Sequence, residues 1–145
     1  MCQVMPADCR ITTIEKYEKR IPTARKNFQR AGEEGRITLL EGDADGILKK
    51  LEGEVFDLVF MDGAKGQYLH WLPLLLRLMP VGGVLISDNV LQEGDIVESR
   101  FAVERRNRTI HSRMRRYLHT LKHTEELETA VIPIGDGVAI STRIK

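Results

Sequence analysis

The chain has 145 residues and carries 22 Lys+Arg against 21 Asp+Glu, a net charge of +1. That length suits one domain burying roughly two-thirds of the surface its unfolded form exposes, and the balanced charge excludes a bulk polyelectrolyte binder. No run approaches the ~18 apolar residues of a membrane span and the N-terminus lacks a secretory layout, so a soluble, cytoplasmic protein is expected, with Cys2 and Cys9 as incidental reduced thiols.

Met1 to Met5 reads as the end of a helix, and Pro6-Ala7-Asp8 as the turn into a first strand, Arg10 to Glu15. A helix over Ile21 to Ala31 follows, with Pro22 in its first turn, where a missing N–H costs nothing, and Gly32 beyond its end. Arg36 to Glu41 is the next strand, and Asp43 can cap a short helix through Leu51. Then come a buried strand ending at Asp62, a helix from Gln67 to Met79, the turn Pro80-Val81-Gly82-Gly83 and a strand ending at Asp88. Val97 to His123 is a long polar helical region with Asn107 as the candidate break. Two final strands, Glu128 to Ile132 and Val138 to Arg143, flank the hairpin chemistry of Pro133-Ile134-Gly135-Asp136-Gly137. Alternation of strand-length apolar runs with helical stretches makes this an α/β chain, mostly parallel, with an antiparallel pair at its C-terminal end.

Two apolar, β-branched runs, Phe56 to Met61 and Gly83 to Ser87, each stop on a carboxylate. In an open parallel sheet, ligands bind beyond the carboxyl ends of the strands, so Asp62, Asp88 and Asn89 would converge on one crevice. Two carboxylates there repel unless a cation or proton lies between them, and three oxygen donors suit Mg²⁺. Lys65, in the first turn past Asp62, would be the general base, because an ammonium is disfavoured beside a cation and a hydroxyl near Mg²⁺ loses its proton more easily. Glu15, closing the first strand, is placed to accept hydrogen bonds from a ribose diol, or is simply a soluble strand end. Asp43 caps a helix, contacts an adenine, or does both; capping is the safer claim.

Other features are blander. Tyr68 either lines the crevice or packs, and His70 beside Trp71 reads as packing or surface. His119 and His123 share a helix face without the Glu of a zinc-protease motif. Arg100, Arg105, Arg106, Arg108, Arg113, Arg115, Arg116 and Lys122 make an Arg-weighted stretch whose default explanation is a solvated helix, though beside an active site it would attract RNA or a polyphosphate.

Met61-Asp62-Gly63-Ala64-Lys65-Gly66-Gln67-Tyr68 and Ile86-Ser87-Asp88-Asn89-Val90-Leu91 resemble, in order and spacing, the cation-dependent class I S-adenosylmethionine O-methyltransferases, which include catechol and caffeoyl-CoA methyltransferases. The resemblance runs from Ile11-Thr12-Thr13-Ile14-Glu15 to the closing Ile134-to-Ser141 segment. It implies a Rossmann-like sheet whose last strand inserts antiparallel, and a homodimer. It also implies Glu15 at the cofactor ribose, Asp43 and Ala44 at the adenine end, Asp62 at both cofactor and metal, Asp88 and Asn89 at the metal, and Lys65 as base. Lys65-Gly66-Gln67-Tyr68, the Arg-rich helix and the Pro-Ile-Gly-Asp-Gly turn narrow the likeness to bacterial enzymes that methylate 5-hydroxyuridine in tRNA.

The family begins with a central strand and a glycine-rich loop that this chain lacks, so residues 1–145 are expected to be one methyltransferase domain, N-terminally truncated, with poor cofactor affinity of its own. Strand edges left without partners would cost ~1–3 kcal/mol per buried unpaired group. The expected function is Mg²⁺-dependent methylation of a tRNA hydroxyl. The alternatives are a small hydroxylated aromatic acceptor of the catechol or caffeoyl-CoA type, and a catalytically silent fragment that binds RNA or a partner subunit. A signalling receiver domain would need an acidic pair after an early strand and a Lys-Pro after a late one, and has neither.

Overall fold

The computed structural model describes residues 1–99 and 101–145, with nothing described of the Glu93 side chain. The chain forms two compact units, Met1–Leu51 and Glu52–Lys145.

In the first unit, strands β1 (Ile11–Glu15) and β2 (Ile37–Glu41) pair in parallel, from Ile11↔Ile37 to Glu15↔Glu41. Helix α1 (Ile21–Arg30) has Pro22 in its first turn, as its sequence predicts, and Gly32 follows at φ +68. Helix α2 (Ala44–Lys50) starts at Asp43, whose side chain accepts from the Asp45 backbone N–H and so satisfies one of the helix's orphan donors. The N-terminal residues expected to end a helix close a single turn, Met5 N–H to Met1 O. Leu48 is this unit's one buried apolar side chain among the described residues.

The second unit holds a four-stranded sheet in the order β3-β4-β6-β5, built from β3 (Leu58–Met61), β4 (Val84–Asp88), β5 (Leu127–Ile132) and β6 (Val138–Arg143). β3 and β4 are parallel; β6 lies between β4 and β5 and is antiparallel to both, which is the expected C-terminal finish. β3 is an edge of this sheet, and Leu58 and Phe60 are exposed. Helices α3 (Tyr68–Arg77) and α4 (Arg108–His123) bury Tyr68, Leu72 and Leu75, and His111, Met114, Tyr117 and Leu121. Their three-to-four-residue spacing makes one apolar stripe per helix. Leu85 and Ala139 are the fully buried apolar residues of the sheet. Arg143 on β6 donates to the carbonyls of Leu76 and Met79 at the end of α3, where the last-turn carbonyls have few partners within the helix.

One expected element is shorter than its periodicity suggests. The helix begins at Arg108, not Val97, and Asn107 is its N-cap residue, not an internal break. A 3₁₀ stretch at Gln92–Val97 and a run of turns precede it, and arginines of α4 bind that segment's carbonyls: Arg108 takes Phe101 O and Val103 O, and Arg115 takes Ile96 O and Glu98 O. Arg100 lies outside the described residues. Among the described residues no helix is long and apolar enough to cross a membrane.

Candidate active site

In the first unit, the expected cofactor-binding residues meet at the carboxyl end of the β1–β2 pair. Glu15 closes β1 opposite Glu41, and its Oε1 accepts from the Tyr17 N–H at 2.7 Å. Gly42 N–H donates to Glu15 O, bringing the turn after β2 against the end of β1. Lys16 Nζ lies 2.6 Å from Asp43 Oδ2, and Ala44 opens α2 immediately beyond. The Lys16 hydrogen bond, followed by that from the Asp45 N–H, holds the Asp43 carboxyl below its ordinary value.

The second unit gathers the expected metal and base residues at the carboxyl ends of β3 and β4. The last paired rung of β3 and β4 is Met61↔Ser87; Asp62 is the first residue past β3 and Asp88 the last of β4. The Tyr68 hydroxyl donates toward both Met61 O (3.1 Å) and Asp88 O (3.2 Å), and accepts from Gly63 N–H at 3.3 Å. Tyr68 is fully buried, and burial pushes its phenol up to about 12, with the negative charges of Asp62 and Asp88 adding to the push and the Gly63 N–H opposing it. Asp88 Oδ1 accepts from Asn89 N–H at 2.7 Å. Asn89 itself is left-handed, φ 55, a conformation its short polar side chain tolerates better than most.

Local sequence explains how the chain leaves β3. A Cβ on Gly63 would come within 2.9 Å of the Trp71 ring, so glycine permits the close pass. Ala64 is extended and accepts from Gln67 N–H, and a 3₁₀ turn at Lys65–Gln67 feeds α3. Lys65 Nζ then sits 3.5 Å from Asp136 Oδ2, both side chains partly exposed. The β5–β6 turn that carries Asp136 is laced to the segment after Asn89: Val90 N–H donates to Gly137 O and Leu91 N–H to Asp136 O. Behind the site, Ser87 Oγ and Tyr117 Oη are 2.6 Å apart, and the Tyr117 ring meets Tyr68 edge-on with centroids 5.5 Å apart.

Among the described residues no three His, Cys, Asp or Glu side chains cluster as a metal site. Two carboxylates plus the Asn89 amide nevertheless make the mixed oxygen set that a hard, partly hydrated cation such as Mg²⁺ takes, and the residues present fit such an ion. The sequence singles out Asp62, Lys65, Asp88 and Asn89; it gives Asp136 no role of its own, only a place in a hairpin turn shared with the narrower family likeness, and leaves the role of Tyr68 open. His119 and His123 stack with centroids 4.0 Å apart on an exposed face, and His123 Nδ1 lies 2.7 Å from His119 O.

The O-methyltransferase family profile matches residues 1–144. A caffeoyl-CoA O-methyltransferase of Populus kitakamiensis is 30% identical over 149 residues, covering 97% of this chain and 62% of its own length. Among solved structures, an O-methyltransferase of Bacillus cereus in complex with SAH superposes with TM-score 0.81 at 25% identity, covering 92% of this chain and 62% of that one. The SAH-bound methyltransferase PaMTH1 of Podospora anserina gives TM-score 0.81 at 27% identity, covering 94% and 61%. The chain thus spans about three-fifths of each of these relatives, and its α/β fold is that of the class I methyltransferases. By the near-complete family match, the chain belongs to the O-methyltransferase family.

Proposed function

We propose that this chain carries the catalytic residues of an S-adenosylmethionine-dependent, Mg²⁺-dependent O-methyltransferase acting on a small hydroxylated aromatic molecule. The observation that supports the reading is that Asp62 and Asp88 each directly follow the Met61↔Ser87 rung, with Lys65 in the 3₁₀ turn after β3. Asp62, Asp88 and Asn89 would hold the cation. Glu15 would hold the cofactor ribose, and Asp43 and Ala44 its adenine end, with Asp62 serving cofactor and metal alike. When bound, Mg²⁺ would supply the charge that stabilises an acceptor oxyanion, and S-adenosylmethionine the methyl group that the oxyanion receives.

Lys65 in its neutral form would take the acceptor hydroxyl's proton onto Nζ, and Asp136, 3.5 Å away, would stabilise the ammonium that results. Holding acceptor and donor in line is the larger part of the work. Support for a small aromatic acceptor comes from the relative named for caffeoyl-CoA. The family match runs through both units, which supports reading them as parts of one methyltransferase domain.

The test is calorimetry with S-adenosylmethionine and with Mg²⁺, followed by methyl transfer to a catechol. Heat with both ligands and a methylated product are expected; no heat with either leaves a catalytically silent fragment and overturns the reading. A second reading, methylation of 5-hydroxyuridine in tRNA, draws on the exposed Arg105, Arg106, Arg116 and Lys122. RNA binding would weaken steeply with salt, whereas a small phenol's would not. Homodimer formation, implied by the family resemblance, is checked by light scattering.

A further inference from the structure

The three hydrogen bonds of the Tyr68 hydroxyl have a common target. Met61 O precedes Asp62 in the chain, Gly63 N–H follows it, and Asp88 O belongs to the second carboxylate residue itself. The single phenol proton is shared between Met61 O and Asp88 O while one lone pair accepts from Gly63 N–H, so the hydroxyl contacts the backbone on both sides of Asp62 and at Asp88. The ladder bonds of β3 and β4 end at Met61↔Ser87, so beyond that rung the hydroxyl takes over from the sheet in tying the two chain segments together. Its ring is fixed by complete burial and by the edge-on Tyr117 ring, so the hydroxyl has little freedom to follow a drifting strand end.

We propose that Tyr68 is a positioning residue for the metal donors: its buried hydroxyl, bridging Met61 O and Asp88 O and receiving Gly63 N–H, sets the separation and direction of the Asp62 and Asp88 carboxylates. This rests on reading Asp62, Asp88 and Asn89 as the metal-holding set. A packing role alone would need the ring and not the oxygen. Groups that orient metal ligands without touching the metal commonly change its affinity by about 10- to 100-fold, and a group acting through the backbone belongs at the lower end of that range.

The experiment is Mg²⁺ binding by calorimetry to the wild-type chain, to Tyr68→Phe, to Tyr117→Phe and to Asp62→Asn, below the melting temperature of each. Tyr68→Phe is expected to weaken Mg²⁺ about 10-fold. Tyr117→Phe also removes a buried hydroxyl bond, to Ser87, but is expected to change affinity less than about 2-fold while lowering thermal stability by a similar amount. Equal weakening in both tyrosine variants would reduce the effect to lost packing and overturn the proposal. Unchanged affinity in Tyr68→Phe alongside its loss in Asp62→Asn sinks the proposal and leaves the metal reading standing; no Mg²⁺ binding by the wild type sinks both. Should Tyr68→Phe fail to fold, Mg²⁺ titration of the wild type followed by NMR decides. The Gly63 amide and Tyr68 ring must shift together with Asp62, and shifts that bypass them count against the bridge.

Discussion

Lys65 and Asp136 form an ion pair 3.5 Å long between the turn after β3 and the turn joining β5 to β6. The pair is partly shielded from water, and such pairs contribute at most about 1 kcal/mol when solvent still reaches them. Its consequence for catalysis is larger than for stability, because an amine on a four-carbon stem needs a fixed partner to meet one hydroxyl reliably. Lys65→Ala is expected to lower turnover by about 10²–10⁴-fold with cofactor affinity unchanged. Asp136→Asn should cost less, and the double variant should be no worse than Lys65→Ala, because both losses pass through the same amine. Single-turnover rates beside calorimetric cofactor affinity check this; additive losses would separate the two residues' roles.

The strand-end carboxylates were legible because each buried β-branched run stops on an acidic residue, and the antiparallel finish because Pro133–Gly137 has hairpin chemistry. What escaped were relations that local sequence does not encode. Periodicity carried a helix back to Val97, but the carbonyls of Ile96, Glu98, Phe101 and Val103 find arginine donors in α4, so that segment meets its hydrogen-bonding needs without helix. Asp136 is far from Lys65 in the chain and is brought near by insertion of β6 beside β4. Tyr68 shows in the sequence only as an aromatic residue one turn past Lys65, while its three backbone partners exist only once β3, β4 and α3 have packed.

Alkali should unfold the second unit through its tyrosines. Burial raises the phenols of both Tyr68, to about 12, and Tyr117. A phenol whose native value lies above its unfolded value near 10 binds its proton more tightly when folded, so its stabilising contribution is intact below pH ~10 and fades as pH rises toward the native value. Two of the three tyrosines should therefore ionise together with loss of tertiary structure, monitored by phenolate absorbance beside near-ultraviolet circular dichroism. Stepwise ionisation of all three in a folded chain would contradict this burial.

At the acid end the first unit should respond through Asp43. Its carboxyl is held below the ordinary value of 3.8, first by the Lys16 hydrogen bond. A depressed carboxyl stabilises the folded form above its unfolded value, and that contribution disappears as pH falls through the native one. Lys16→Met should move the Asp43 midpoint upward, toward 3.8, when its side-chain carbonyl is followed by NMR. The helix cap to Asp45 N–H persists in that variant, so the movement should stop short of abolishing the depression. An unmoved midpoint would assign the whole effect to the cap.

Gly137 provides the sharpest test of how the β5–β6 turn is joined to the strand-end site. Its φ is +79, and a Cβ there would lie 2.2 Å from Leu91 Cγ and 2.8 Å from Leu91 Cβ, the latter an atom that side-chain rotation cannot clear. Gly137→Ala therefore combines left-handed strain with overpacking against Leu91, in the segment whose Val90 and Leu91 N–H groups donate to this turn, and should cost at least about 2 kcal/mol in urea unfolding. Because that turn also carries Asp136, variant chains that remain folded should lose turnover as well. Adding Leu91→Ala removes the outer clash but neither the close Cβ nor the positive φ, so stability should return only in part. Full recovery would show that side-chain bulk alone, and not backbone conformation, demands glycine at this position.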